Sequence, residues 1–269
     1  MEAVRRPEAI TVRAVDGSIV KLEHFDALRS TLDVARQYAL DGVPDRYVVF
    51  TDKKIEENGD ITEGLYMSLV LRPSIFASQA HLLGAMSATA FVTALEEHTT
   101  KRLGLGWVSD LYCEGALIGD VSIEGKIDAH TGYEHLIITF SAKLDKRTFP
   151  PRLTDMIKKV FESNNASIAM IIGKSVINNF LQFYQHIKTS NKFMEIYTKK
   201  FILRGTRIKH IEGGKKRTRR ILGVDTKTGA LILEGTRRAP RHGAATLDTR
   251  IFVTSPRAVI MPKKVKIKD

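Results

Sequence analysis

Residues 64–73 read Gly64-Leu65-Tyr66-Met67-Ser68-Leu69-Val70-Leu71-Arg72-Pro73, and a second patterned segment, Ser78 to Glu97, follows closely. The first alternates well enough to be a strand over Gly64–Leu71. The second places apolar side chains at 82, 83, 86, 90, 91, 94 and 95, the spacing of a helix. A strand that feeds a long apolar helix is the seed of a mixed α/β body. Towards the N-terminus, Asp52–Glu63 is polar and charged and reads as a loop, and Tyr47–Thr51 as a short strand. Before them comes a helix that Ser30 or Thr31 can cap. Its face is Leu32, Ala35, Tyr38 and Ala39, and Gly42-Val43-Pro44 ends it. Residues 9–25 read as a hairpin about Asp16-Gly17.

On the C-terminal side, Leu103–Val108 and Ala116–Ile123 read as strands around a turn at Cys113-Glu114-Gly115, and Leu136–Leu144 as another. Pro150-Pro151 breaks the pattern. Helical segments are expected over about 154–163 and 168–201. From 202 to 256 the chain switches to short β runs separated by Gly213-Gly214 and Lys227-Thr228-Gly229, which suits a small barrel. Residues 257–269 form a basic tail, expected to be mobile. The domain expectation is thus an α/β unit over 1–200, a basic β unit over 201–256, and the tail.

Charge sharpens that division. The 269 residues carry a net charge of +12, and residues 201–269 alone hold 18 Lys and Arg against 5 Asp and Glu. The first 200 residues are close to neutral, so the excess sits in the C-terminal quarter, which should attract polyanions or an acidic protein. The single cysteine, Cys113, excludes an internal disulfide or a cysteine zinc cluster and suits a reducing compartment. No apolar run reaches the roughly 18–20 residues of a membrane span. The N-terminus lacks a secretory apolar stretch, so the cytoplasm or an organelle such as the mitochondrion is expected rather than secretion. Composition does not fix the oligomeric state.

Taken in order, these landmarks resemble the biotin protein ligases, in a form without their N-terminal DNA-binding domain, and the related lipoate ligases. Ser30-Thr31 before Ala35 and Ala39 is similar to the family's Ser-Thr-Asn followed by alanines. Gly64–Pro73 resembles its strand Asn-Leu-Tyr-x-Ser-x-x-Leu-Arg-Pro. Gly106-Trp107-Val108-Ser109-Asp110-Leu111-Tyr112 stands where the family has Lys-Trp-Pro-Asn-Asp-Leu-Tyr, and Ala116-Leu117-Ile118-Gly119 where it has Lys-Leu-Ala-Gly. Phe149-Pro150-Pro151-Arg152-Leu153 resembles the Phe-Pro-x-x-Leu that opens its closing helices. Residues 203–233 resemble its C-terminal barrel of SH3 type. The resemblance implies an α+β fold: a mixed sheet packed with helices, then a small SH3-like barrel. It also implies a chemistry, in which biotin and ATP-Mg form an acyl-adenylate and the acyl group passes to a lysine of an acidic carrier domain.

The residues that chemistry needs are missing from the matching positions. The family's lysine is Gly106 here, its second lysine is Ala116, and the Gly-Arg-Gly-Arg-x-Gly loop is replaced by Asp52–Glu63, with five carboxylates against two lysines. Phosphate charge developing in adenylation calls for cations, and no cation is expected where a nucleotide's phosphates would be gripped. Phe140, where the family's strand has glycine, should crowd the ligand. The expectation is therefore no catalytic residue, no metal and no cofactor. Biotin or lipoate with ATP enters only if the chain is instead an active, divergent ligase or acyl transferase.

Ser30, Thr31, Trp107, Asp110 and Gly119 are the candidate remnants of a ligand pocket, each with a plainer reading. Ser30 and Thr31 could simply cap a helix, Trp107 fill the core, Asp110 make a turn, and Gly119 permit close strand packing. The eight histidines show no metal-ligand spacing, and Cys113 has no neighbouring cation to activate it. The basic clusters Lys215, Lys216, Arg217, Arg219 and Arg220, and then Arg237, Arg238 and Arg241, are candidate polyanion contacts or a solvated face. Lys263, Lys264, Lys266 and Lys268 add to them in the tail. The implied partner is RNA or a ribonucleoprotein, or an acidic biotinyl or lipoyl carrier domain.

Overall fold

The computed structural model describes residues 7–73, 82–128, 132–144, 168–187, 192–235, 250–254 and 259–260. Eight strands form the main sheet: β1 (Glu8–Arg13), β2 (Ile19–His24), β3 (Tyr47–Ile55), β4 (Ile61–Leu71), β5 (Leu103–Leu105), β6 (Asp110–Cys113), β7 (Ala116–Asp128) and β8 (Gly132–Lys143). Their order is β1-β2-β3-β4-β8-β7-β6-β5. The sheet is mixed: β2 and β3 run parallel, because helix α1 (Thr31–Leu40) carries the chain between them, and the other neighbours are antiparallel.

Helix α1 covers one face. Ser30 caps it by accepting from the Asp33 amide at 3.1 Å, and Ala35 and Ala39 pack on Val49, Val70 and Ile137. The Arg72 guanidinium closes the far end, donating to the carbonyls of Ala39 (3.0 Å) and Val43 (2.9 Å). Its side chain thereby ties the C-terminus of α1 to the end of β4. The opposite face packs α2 (Leu83–Glu96), α3 (Ile168–Gln185) and α4 (Lys192–Lys200). Helix α2 is buried nearly all round, with Ala85, Ala88, Ala90 and Ala94 letting the backbones close in.

A second sheet follows, of β9 (Arg207–Glu212), β10 (Lys215–Val224), β11 (Leu231–Glu234), β12 (Arg250–Val253) and β13 (Val259–Ile260), in the order β12-β11-β10-β9-β13. All neighbours are antiparallel, and β10 bulges between Ile221 and Gly223.

Three sequence expectations change. The segment Asp52–Glu63 is not a loop: β3 continues to Ile55 and β4 starts at Ile61, pairing Lys53 with Glu63, Lys54 with Thr62 and Ile55 with Ile61. The turn is confined to 56–60, where the Glu56 amide donates to the Asp60 carbonyl. The helical stretch 168–201 is two helices, and part of the expected tail, Val259–Ile260, is a strand against β9. The expected helix at 154–163, the Phe149–Leu153 motif and the rest of the tail lie outside the described residues.

Candidate functional site

Where β3, β4 and β8 pass the N-terminus of α1, strand alternation lines up hydroxyls on one face of the sheet. Thr31 Oγ1 and Ser68 Oγ are 2.9 Å apart, and Ser68 Oγ and Thr139 Oγ1 are also 2.9 Å apart. Ser68 is fully buried and Thr31 nearly so. This chain of hydroxyls lies beside a cavity of about 240 Å³, whose wall includes Ser30, Thr31, Thr51, Lys54, Tyr66 and Asp120. Arg29, Thr139 and Ser141 complete its polar lining, with Leu28, Leu32 and Phe140 as apolar wall. The volume falls below the roughly 300–1,000 Å³ usual for ligand pockets.

Two features make the cavity chemically uneven. The Tyr66 hydroxyl is buried at the wall with no hydrogen-bond partner among the described residues. Burial, with the charge of Glu56 behind it, pushes that phenol up to about 12, so it stays a neutral donor. Cations are present too: Arg29 and Lys54 line the cavity, with Lys54 Nζ 3.0 Å from Glu56. The hairpin register turns Lys54 inward, which a reading of the segment as loop could not supply.

Asp120 faces the cavity and is paired in register with Asp110 on β6. Burial pushes the Asp110 carboxyl up to about 6, with the charge of Asp120 adding to it. Burial raises Asp120 as well, against the opposing pull of Lys54.

The sequence candidates disperse. Ser30 and Thr31 reach the cavity wall. Asp110 lies one strand beyond it, against Asp120. Gly119 lies where β7 closes on β8: an added Cβ would meet the Ser141 carbonyl at 2.1 Å. Trp107 is buried 122 residues from its partner in sequence, donating its indole N–H to the Gly229 carbonyl at 2.8 Å. At Gly106 an added Cβ would stand 2.8 Å from the Tyr112 ring and 3.0 Å from Asp110 Cβ, so the neighbouring side chains already fill the space. Phe140 belongs to the cavity wall. The ring points to the helical layer, edge-on to Phe91 and Phe180 at 5.6 and 6.4 Å. Lys215, Lys216, Arg217 and Arg220 are exposed on β10, while Arg219 is buried beside Glu212. Arg237, Arg238 and Arg241 lie outside the described residues. Among the described residues no group of three or more metal-ligating side chains converges.

Sequence reasoning missed Lys54, Tyr66, Thr139, Ser141 and Asp120. A usable signal was there: Tyr66 and Ser68, and Thr139 and Ser141, are polar positions two apart within apolar strands.

An eight-stranded mixed sheet with α1 on one face, three helices on the other and a small antiparallel sheet after them matches solved structures along nearly the whole chain. A biotin protein ligase from Aquifex aeolicus superimposes with a TM-score of 0.62 at 18% identity, covering 89% of this chain and 96% of the other. The fold is that of the biotin protein ligases. A biotin protein ligase-like protein of unknown function from Silicibacter shares it with a TM-score of 0.60 at 17% identity, covering 87% and 94%. In sequence, the bifunctional ligase/repressor BirA of Bacillus subtilis is 24% identical over 156 residues, 55% of this chain. The matched stretch spans about half, 48%, of that relative's length. No protein-family model matches. Among the described residues no helix is long and apolar enough to cross a membrane.

Proposed function

We propose that this chain is a biotin protein ligase-like protein that no longer forms an acyl-adenylate and serves as a binding or scaffold protein for an anionic partner. The observation that carries the reading is the zipped β3–β4 hairpin. Where the resembled family would wrap a nucleotide with an arginine- and glycine-rich loop, ladder pairs run out to Ile55 and Ile61. Its turn adds Glu56, Glu57 and Asp60. A segment already paired as strand offers few free backbone amides to a phosphate, and its carboxylates repel one. At Gly106 the occupied space argues the same way. The order of the second sheet, with its first strand between its second and its fifth, supports reading it as an SH3-like barrel. Its charge supports RNA, a ribonucleoprotein or an acidic carrier domain as partner. The test is isotope exchange between pyrophosphate and ATP with biotin, then lipoate, added to the purified chain. Exchange at the background rate is expected, and acyl-dependent exchange overturns the reading.

A second reading, an active and divergent ligase or acyl transferase, is favoured by Lys54 and Arg29 at the cavity and by the unpartnered Tyr66 hydroxyl. These groups suit a small acyl ligand with polar atoms at one end. Titration calorimetry with biotin and with lipoate separates the readings. On the second reading binding is measurable and Tyr66→Phe weakens it several-fold, as loss of one buried hydrogen bond requires.

A further inference from the structure

The β9–β10 hairpin sorts its charges by face. In register, Arg207 stands opposite Arg220, Lys209 opposite Thr218 and Ile211 opposite Lys216, and directly opposed residues share a face. Apart from half-buried Ile211, this outer face is exposed. On the inner face Ile208, His210 and Arg219 are buried, Arg217 and Arg219 approach the single carboxylate Glu212 at 3.7 and 3.3 Å, and Lys215 and Arg217 stay exposed towards the hairpin tip.

The outer face continues across the sheet. Leu231, Leu233 and Val253 are buried inward, so half-buried Ile232, Glu234, Arg250 and Phe252 share the outer side, with Ile232 opposite Phe252. Phe252 is 56% exposed. Glu234 lies 3.7 Å from Arg220 and is the one carboxylate there among the described residues, against five cations. Arg207 directly opposite Arg220 is a like-charge pair; Glu234 beside Arg220 offsets one charge, and the face keeps an excess of four cations that a further anion would relieve.

Two kinds of anion could relieve it. The apolar residues of this face, Phe252 with half-buried Ile232 and Ile211, are few beside its five cations, and lysine is depleted at protein interfaces. A nucleic acid strand uses what is present: phosphates meet cations set roughly 6.6 Å apart along each strand, and a base stacks on the aromatic ring. The ribose 2′-hydroxyl offers a hydrogen-bond donor that deoxyribose lacks, and Glu234, 3.7 Å from Arg220, and the exposed Thr218 are the polar groups of this face that can meet it.

We infer that the outer face of the β9–β12 sheet binds single-stranded RNA with little sequence preference, phosphates on Arg207, Lys209, Lys216 and Arg220 and one base on Phe252. The inference rests on the reading that the chain serves an anionic partner, and it names the partner and the surface.

The test uses the full chain and a fluorescein-labelled 15-nucleotide oligouridylate, with binding read by anisotropy at several salt concentrations. Four phosphate contacts predict a slope of about −3 in log K against log salt. Replacing Arg207, Lys209, Lys216 and Arg220 together by Gln is expected to weaken binding at least tenfold at 100 mM salt and to flatten the slope by two or more. Phe252→Ala is expected to cost at least fivefold with the slope unchanged. Oligodeoxyuridylate of equal length should bind more weakly, and equal binding overturns the commitment to RNA. Equal binding of a polyglutamate peptide overturns the inference but leaves the anionic-partner reading standing. The same division follows if neutralising Lys263, Lys264, Lys266 and Lys268 abolishes binding while the sheet variant keeps it. No binding of any polyanion at 50 mM salt removes both.

Discussion

At Gly119 an added methyl would lie 2.1 Å from the Ser141 carbonyl oxygen and 2.8 Å from Ala142 Cα, both backbone atoms of the central strand β8. Neither can swing aside as a side chain would, so Gly119→Ala is expected to cost about 1–3 kcal/mol and lower Tm by several degrees. An unchanged melting curve would mean that β7 can lift off β8. This role of Gly119 was legible, since glycine inside a strand signals close backbone approach. That of Asp110 was not, because its environment depends on a partner ten residues away across a bulged ladder. Burial raises its carboxyl to about 6, against about 3.9 in an unfolded chain. The folded chain therefore holds the proton more tightly, and the stability this gives below pH 4 is lost as pH rises from 4 to 6. Asp110→Asn is expected to leave stability at pH 4 unchanged and to raise it at pH 7.5 by on the order of 1–2 kcal/mol. Urea unfolding at the two pH values measures the difference.

Among elements, the β3–β4 hairpin shows why a sequence can be read correctly for its core and wrongly at its rim. Inside the body, Val48, Val49 and Phe50 face Met67, Ser68 and Leu69 under helices on both sides, and the apolar run announces a strand. Beyond Asp52 backbone bonds to Leu28 hold the edge of β3, and Ile55 opposite Ile61 is the one apolar pair, too little for a hydrophobic period to mark the strands. What remains is turn chemistry: Gly59 at φ +88°, and Asn58 Oδ1 accepting from the Asp60 amide at 3.1 Å. Because so little apolar packing supports the tip, its register depends on that turn. Gly59→Val forces an unfavourable left-handed residue costing about 1–2 kcal/mol. Hydrogen exchange of the Glu56 amide, which donates to the Asp60 carbonyl across the turn, is expected to accelerate at least tenfold in that variant, while exchange in α2 stays unchanged. Helices α3 and α4 teach the converse. Their apolar faces are plain, but one helix ends at Gln185 and the next begins at Lys192, where periodicity alone runs the two together.

Across the whole molecule, the sharp change in charge at residue 201 does not mark a break in packing. Ile208, Ile221, Leu231, Leu233 and Val253 of the second sheet belong to the same buried cluster as Phe91, Phe140 and Phe180 of the first. Backbone bonds cross as well: the Ile202 amide donates to the Leu105 carbonyl at 3.1 Å, and Trp107 reaches Gly229. A charge count sees surfaces, whereas cooperativity follows the interior, so two differently charged units can still melt as one. Trp107 is the chain's single tryptophan and lies at the junction itself, which makes it an intrinsic reporter. Denaturation followed by its fluorescence is expected to coincide with that followed by circular dichroism. Trp107→Phe removes the bond to Gly229 together with part of the buried volume, and should cost about 1–3 kcal/mol. If the junction is what couples the sheets, this variant also separates their unfolding: limited proteolysis should cut within 201–254 at denaturant concentrations where α2 and α3 remain protected. A fluorescence transition that precedes the circular dichroism change in the unaltered chain would mean that the second sheet detaches independently. It would then present its basic outer face on a unit free to reorient against the body.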